Sequence, residues 1–283
     1  MTQWHPINEN HAIDVMAAIV TFAEPIPDLI FRRMVKATEE VAFASGLRSR
    51  HLFQQQAMSI TVGASGQPSV QQVPAMVTGR MFNSVVEGSA EEPVSGRVAE
   101  QVQVIQNFIA YRTWQYVSWN WQLERIRALL EPALSMVVGS VFVGNQRLEY
   151  LDRFYSEDSA GFAPIESLLR RDSPHVAPHV FSRTDLWHSH TGAFLPDEGS
   201  SKRLEQVHID AVDQPVPSGS GNARWINLMT ARENRYTDSN VDQSSQSIFS
   251  TFDGMHADLI KLLAGVITKD IADQIYLMNG AKQ

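Results

Sequence analysis

The sequence contains no cysteine. That excludes disulfides, thiolate-ligated zinc, iron–sulfur clusters and a thiol nucleophile, and leaves the redox compartment undetermined. Long apolar runs are missing as well. The best, residues 259–267, is about half of the roughly 18 residues a membrane span needs and already contains Lys261, so no integral membrane segment is expected. Basic clusters are short: Arg32-Arg33, Arg170-Arg171 and the Arg48, Arg50 pair, in a chain of net charge −8. Nucleic acid and anionic lipid both need clustered Lys and Arg to displace counterions, so neither is an expected partner. Residues 1–9 lack the basic patch and apolar run of a secretory signal, and the cytoplasm is the expected location. Several catalytic signatures are also missing, namely GxxxxGK[ST], HExxH, GxSxG and GxGxxG. Their absence weighs against the common nucleotide and hydrolase chemistries.

What is present is an ordinary globular composition, 43% hydrophobic and 19% charged, enough to build a sizeable core over 283 residues. Residues 12–22 are apolar on both alternating faces and predict a central strand that Pro25 and Pro27 terminate. From Asp28, Ile30, Met34, Ala37 and Val41 recur at helical spacing, with Gly46 as the C-terminal cap. Strands are predicted at 59–62, 76–85 and 101–116, separated by turn-rich linkers at 63–68 and 87–96. A helix follows over 121–137 on the stripe Leu123, Ile126, Leu130 and Leu134, with Pro132 expected to kink or shorten it.

The order then recurs. A strand is predicted over 138–155, a short helix over 165–170, and strands over 185–195, 204–212 and 224–233, with a loop-like stretch at 213–222. A helix over 244–266 carries Ile248, Phe252, Met255, Leu259, Leu263 and Val266, and a shorter one after Thr268 carries Ile271 and Ile275. The expected fold is α+β, a single domain over 1–283. A mixed or largely antiparallel sheet is packed by two or three long amphipathic helices, in two strand-helix-three-strand-helix halves, 1–138 and 139–283.

Three segments carry a family resemblance. The aromatic stretch 114–119 leads into a helix, Leu148-Glu149-Tyr150-Leu151-Asp152-Arg153-Phe154 lies on a strand, and Met255-His256 through Leu263 lies on the last long helix, closing with Ile267-Thr268-Lys269-Asp270. Together they resemble a sporadically distributed prokaryotic family of uncharacterised proteins of about this length. The family pattern is similar to LRYINR on the strand and LHxxIxxxFxxxIT on the helix. Here Asp152 stands in place of the usual Asn, and Ala264 lies near the usual bulky aromatic. The resemblance implies a shared fold over nearly the whole chain and transfers no catalytic residue.

Candidate chemistry is sparse. His188, His190, His208 and Asp210 form HxH and HxD pairs on consecutive predicted strands, and residues two apart share a strand face. A hairpin turning near Gly199 would set His190 beside His208 and His188 beside Asp210, a donor set suited to a divalent metal. The plainer reading is a polar outer face, with Val207, Ile209 and Ala211 directed into the core. His175 and His179 sit in a Pro-rich loop and read as solvated, while His256 at the edge of the last stripe reads as a hydrogen-bonded anchor of helix to sheet. Tyr111, Trp114, Tyr116, Trp119 and Trp121 read as boundary packing or as the lining of a ligand pocket. Glu124, Glu131, Asp152 and Arg153 read as solvated charges or ion pairs.

Three functions follow from these residues. The leading one is a non-enzymatic binding or interaction protein, an accessory component of a bacterial multi-protein system, with a protein partner or self-association and no cofactor. The alternatives are a metal-dependent enzyme using the His/Asp face, and a small-ligand binder with a cavity between helices and sheet.

Overall fold

The computed structural model describes residues 3–55, 58–62, 68–72, 76–86, 97–157, 163–196, 201–216, 221–237 and 241–277. The first half of the chain runs β1 (His5–Pro6), β2 (Ile13–Phe22), α1 (Asp28–Ala44), β3 (Ser49–Gln55), β4 (Met58–Val62), β5 (Pro68–Gln72), β6 (Met76–Val85), β7 (Val98–Ile105), β8 (Phe108–Thr113) and α2 (Trp119–Val137). The second half runs β9 (Val143–Ser156), β10 (Trp187–Phe194), β11 (Ser201–Pro215), β12 (Asn222–Tyr236), α3 (Ser245–Val266) and α4 (Lys269–Gln274), with 3-10 turns at Ile165–Ser167 and Pro178–Ser182. β2 and β9 are the central pair of one ten-stranded sheet of order β10-β11-β12-β9-β2-β8-β7-β6-β3, with β1 beside β9. Each of these pairings is antiparallel, and β4 and β5 form a separate hairpin. The fold class is therefore α+β with a large antiparallel sheet.

Side-chain alternation assigns the two faces. On β9, Gln146, Leu148, Tyr150, Asp152, Phe154 and Ser156 are buried, and they pair across β2 and β12 with Val20, Ala18, Met16, Ile226 and Leu228. This face carries the helices: α3 lies against β9 and β12, α2 against β8, and α1 against β6 and β7. The helical stripes explain why, since an isolated amphipathic helix would leave several large side chains in water at roughly 1.5–3 kcal/mol each. Met34 of α1, Ile126 and Leu130 of α2, and Phe252 of α3 are all fully buried. α1 ends at Gly46, which adopts φ 93°, a left-handed conformation that costs glycine little.

The opposite face is polar. Arg147 Nε contacts Glu149 at 2.7 Å and its Nη1 contacts Glu233 at 3.3 Å. Arg153 meets Asp14 at 3.4 Å and lies 4.3 Å over the Trp225 ring.

Several expectations are corrected. Residues 101–116 are not one strand: β7 and β8 fold into a hairpin about Gln106 and Asn107, because each arm keeps its own alternation. The segment 165–170 forms only a three-residue 3-10 turn, and β3 arises where no strand was expected. Pro132 neither ends nor shortens α2. A helix-interior proline costs about 3 kcal/mol, and burying Leu134 and Val137, both 0% exposed, offsets it at roughly 1.5–3 kcal/mol each. The linker residues 63–67 and 87–96, 217–220 of the loop-like stretch, and the turn at 197–200 lie outside the described residues.

Candidate functional site

The His/Asp pairs lie in the expected register. β10 and β11 set His188 opposite Asp210 and His190 opposite His208, on the polar face of the sheet, while Val207, Ile209 and Ala211 are buried behind them. The His190 and His208 rings stack at a centroid distance of 4.3 Å, and His190 Nε2 contacts Asp210 Oδ1 diagonally at 3.1 Å. Partial burial, then the neighbouring His190 and Arg147, hold the His208 imidazole below its ordinary value. Among the described residues no three His, Asp or Glu side chains are placed to hold one metal ion. Stacking explains this locally, because parallel rings direct their nitrogens past each other rather than toward a common point.

The metal reading has a direct test. Metal analysis of protein purified without an affinity tag should find no stoichiometric divalent ion, and His190→Ala should shift stability by less than about 1 kcal/mol, as at most exposed polar positions. Stoichiometric zinc, lost in the variant, would reinstate a metal site. His175 and His179 serve separate contacts: His175 Nε2 lies 3.5 Å from Glu205, and His179 Nε2 donates to the His188 carbonyl oxygen at 3.1 Å.

β10 is the sheet edge on this side. Leu195 N–H donates to the Arg203 carbonyl at 2.8 Å, which turns the backbone groups of the odd-numbered residues toward β11 and those of His190, Gly192 and Phe194 outward.

The five aromatics do not share one pocket. Tyr111 is fully buried and donates to Glu100 Oε1 at 2.7 Å, in a network with Gln122 and Arg125. Trp114 receives Arg112 at 5.9 Å, and Trp121 is 46% exposed. Trp119 instead approaches α3 and Tyr116 approaches β9, and there they border a different group of polar residues.

That group follows from β9's alternation. Tyr150 and Asp152 share the helix-covered face with Leu148 and Phe154, beneath α3. Asp152 was expected to be solvated or ion-paired, like Arg153. It is 1% exposed, and among the described residues neither carboxyl oxygen has a hydrogen-bond partner. Consecutive strand residues point to opposite faces, so Arg153 reaches the polar face and Asp152 enters the core. Burial pushes the Asp152 carboxyl up to about 7.

Around it stand neutral polar groups. Tyr150 Oη lies 2.9 Å from His256 Nδ1, linking β9 to α3. Burial lowers His256 to about 4, so its imidazole is neutral at physiological pH. Trp119 stacks on His256 at 4.3 Å and donates its indole N–H to Asp253 at 2.7 Å, which fixes the imidazole plane. Tyr116 meets Tyr150 edge-on at 6.0 Å and His11 at 5.5 Å. Burial, and then the nearby Asp152 carboxyl, raise the Tyr116 hydroxyl, and burial lowers His11.

These residues border a cleft of about 50 Å³ lined by His11, Ile13, Tyr150, Asp152, Thr230 and His256 and walled by Leu259, Ile260, Leu263, Ile275 and Leu277. Among the described residues no Lys or Arg lines it. On the sequence reading Asp152 stands among the solvated charges and His11 has no role, yet one signal is readable. In LEYLDRF the aspartate is in phase with Leu148, Tyr150 and Phe154, the positions an inward-facing strand would bury. Compared with known proteins, the chain matches no family model and no curated sequence.

Proposed function

We propose that this chain is a non-enzymatic binding protein whose ligand enters the cleft beneath α3 and meets Asp152. The observation that carries the reading is a carboxyl group buried at a cleft with both oxygens unpartnered. Buried polar groups are nearly always hydrogen-bonded, and an orphaned one points to a missing partner. The lining favours holding over reacting: its walls are largely aliphatic, and among the described residues it has no cation to stabilise a developing oxyanion. The family resemblance agrees with this location, since the segments that carry it on β9 and α3 are linked across the cleft by Tyr150 and His256.

We read the protein as an accessory component of a bacterial multi-protein system, and the halves 1–138 and 139–283 as pseudo-repeats. β2 with β8 and α2 would correspond to β9 with β12 and α3, about the central β2–β9 pair. Relatives whose two halves prove no more alike than unrelated sheets would end the duplication reading.

The binding reading is tested by protein-observed methyl NMR with a broad set of small compounds. Binders should shift the methyl signals of Ile13 and Ile260, and Ile260→Trp, which fills the cleft from the partly exposed rim of α3, should abolish the Ile13 shift without lowering the melting temperature. If no compound moves these methyls, the cleft is not a ligand site. Self-association on sedimentation in that case would put the interaction reading first, with β10 as the docking edge.

A further inference from the structure

Resting on the reading of the cleft as a ligand site, we infer that its occupant is a small organic ammonium, held by Asp152 and seated against the aliphatic wall. The charge argument comes first. A carboxylate out of water must be neutralised by a proton or by a cation. The groups that face Asp152 are His11 at the start of β2, Tyr116 before α2, Tyr150 on β9 and His256 on α3, with Asp253 one turn from His256. None of them is a fixed cation, and burial keeps both imidazoles from charging readily. Among the described residues, therefore, none supplies the neutralising charge, which leaves a proton or a cation from solution.

The lining then selects among cations. A hydrated metal ion asks for about six oxygen ligands. The cleft offers one carboxyl, the Tyr150 and Thr230 hydroxyls and the His11 and His256 imidazoles, its remaining wall is aliphatic, and among the described residues no three His, Asp or Glu side chains are placed to hold one metal ion. An alkylammonium matches both halves: its N–H groups donate to Asp152, and its carbons displace water from Ile13, Leu259 and Ile260. Size sets an upper bound. About 50 Å³ holds roughly three to five water-sized groups. That corresponds to an ammonium head with two or three carbons.

The experiment titrates wild type and Asp152→Asn with ammonium, methylammonium, n-propylammonium and the neutral isostere propan-1-ol, by calorimetry and by the methyl signals of Ile13 and Ile260. At about pH 8 n-propylammonium should bind tightest, with affinity rising about fourfold per methylene. At about pH 5.5 the amines remain cationic but Asp152 is protonated, and affinity should fall at least about tenfold, as it should in Asp152→Asn. Equal affinity for propan-1-ol and n-propylammonium, with the same methyls shifted, would overturn the ammonium assignment and leave the ligand cleft standing. Unchanged binding in Asp152→Asn would also overturn it. No methyl shift with any of the four probes would remove the ammonium assignment, and only failure of the broader compound set would remove the cleft reading. The pH and isostere comparisons use wild type alone, so the outcome does not depend on the variant folding.

Discussion

Leu259→Asp is expected to lower stability by roughly 4–6 kcal/mol, near the top of the range for single substitutions. Leu259 is 1% exposed at the centre of the α3 stripe, and it lines the cleft over Asp152. The substitution removes a leucine burial of about 1.5–3 kcal/mol and sets a second carboxyl where, among the described residues, no lining cation can pair with it. The new group would take up a proton rather than remain charged, and it would still lack a partner in the apolar wall. Against a total stability of about 5–15 kcal/mol, the loss approaches global unfolding. Thermal and urea melts should show a midpoint lowered by about 10 °C or more, or insoluble protein. Leu259→Met, which conserves volume, should cost less than about 1.5 kcal/mol. Identical melting of Leu259→Asp and wild type would mean that the stripe does not face the sheet.

The second large effect runs in the opposite direction. Asp152→Asn should gain stability relative to wild type as the pH rises. The Asp152 carboxyl sits at about 7 in the folded chain against an ordinary 3.8, so the folded state binds this proton more tightly than the unfolded chain does. Between these two values the unfolded state has released the proton and the folded state retains it, and stability falls as pH rises. Three units correspond to about 4 kcal/mol, an order-of-magnitude figure for a fully buried group. Asparagine cannot ionise, so the stability difference between variant and wild type should grow by about that amount from roughly pH 4 to pH 8. Taking the difference cancels the other titrating groups and the constant cost of burying an amide. Parallel pH profiles for the two proteins would show that Asp152 does not titrate in this range.

Much of the architecture was legible because it is written in short-range periodicity. The stripe Ile248, Phe252, Met255, Leu259 predicts α3, and the 3.6-residue repeat requires no knowledge of its neighbours. The same holds for the His/Asp register, since two HxH-type pairs on consecutive antiparallel strands can meet in few ways. The β7–β8 turn was less legible. Gln106 and Asn107 interrupt an alternation that continues on both sides, and they lack the glycine or proline that usually marks a reversal.

The cleft was illegible for a different reason. Tyr116, Tyr150, Asp152 and His256 come from three stretches separated by up to 140 positions in the chain, and nothing local says that α3 crosses β9 at Tyr150. Nor could composition show that Asp152 would be orphaned. Its neighbour Arg153 is the obvious partner, and the pleat sends the two side chains to opposite faces of the sheet.

The sequence by itself determined the absence of cysteine chemistry, the lack of a long apolar span, the positions of the long helices and the two-residue alternation of the strands. These depend on residue identity and on spacing within one element. The tertiary structure decided that the helices cover one face, that β2 and β9 meet at the centre, and that a carboxyl in phase with aromatic positions is closed over by α3. Burial and partnership are properties of what arrives from elsewhere in the chain, so the protonation of Asp152 and the charge its cleft requires emerge only once the sheet is assembled.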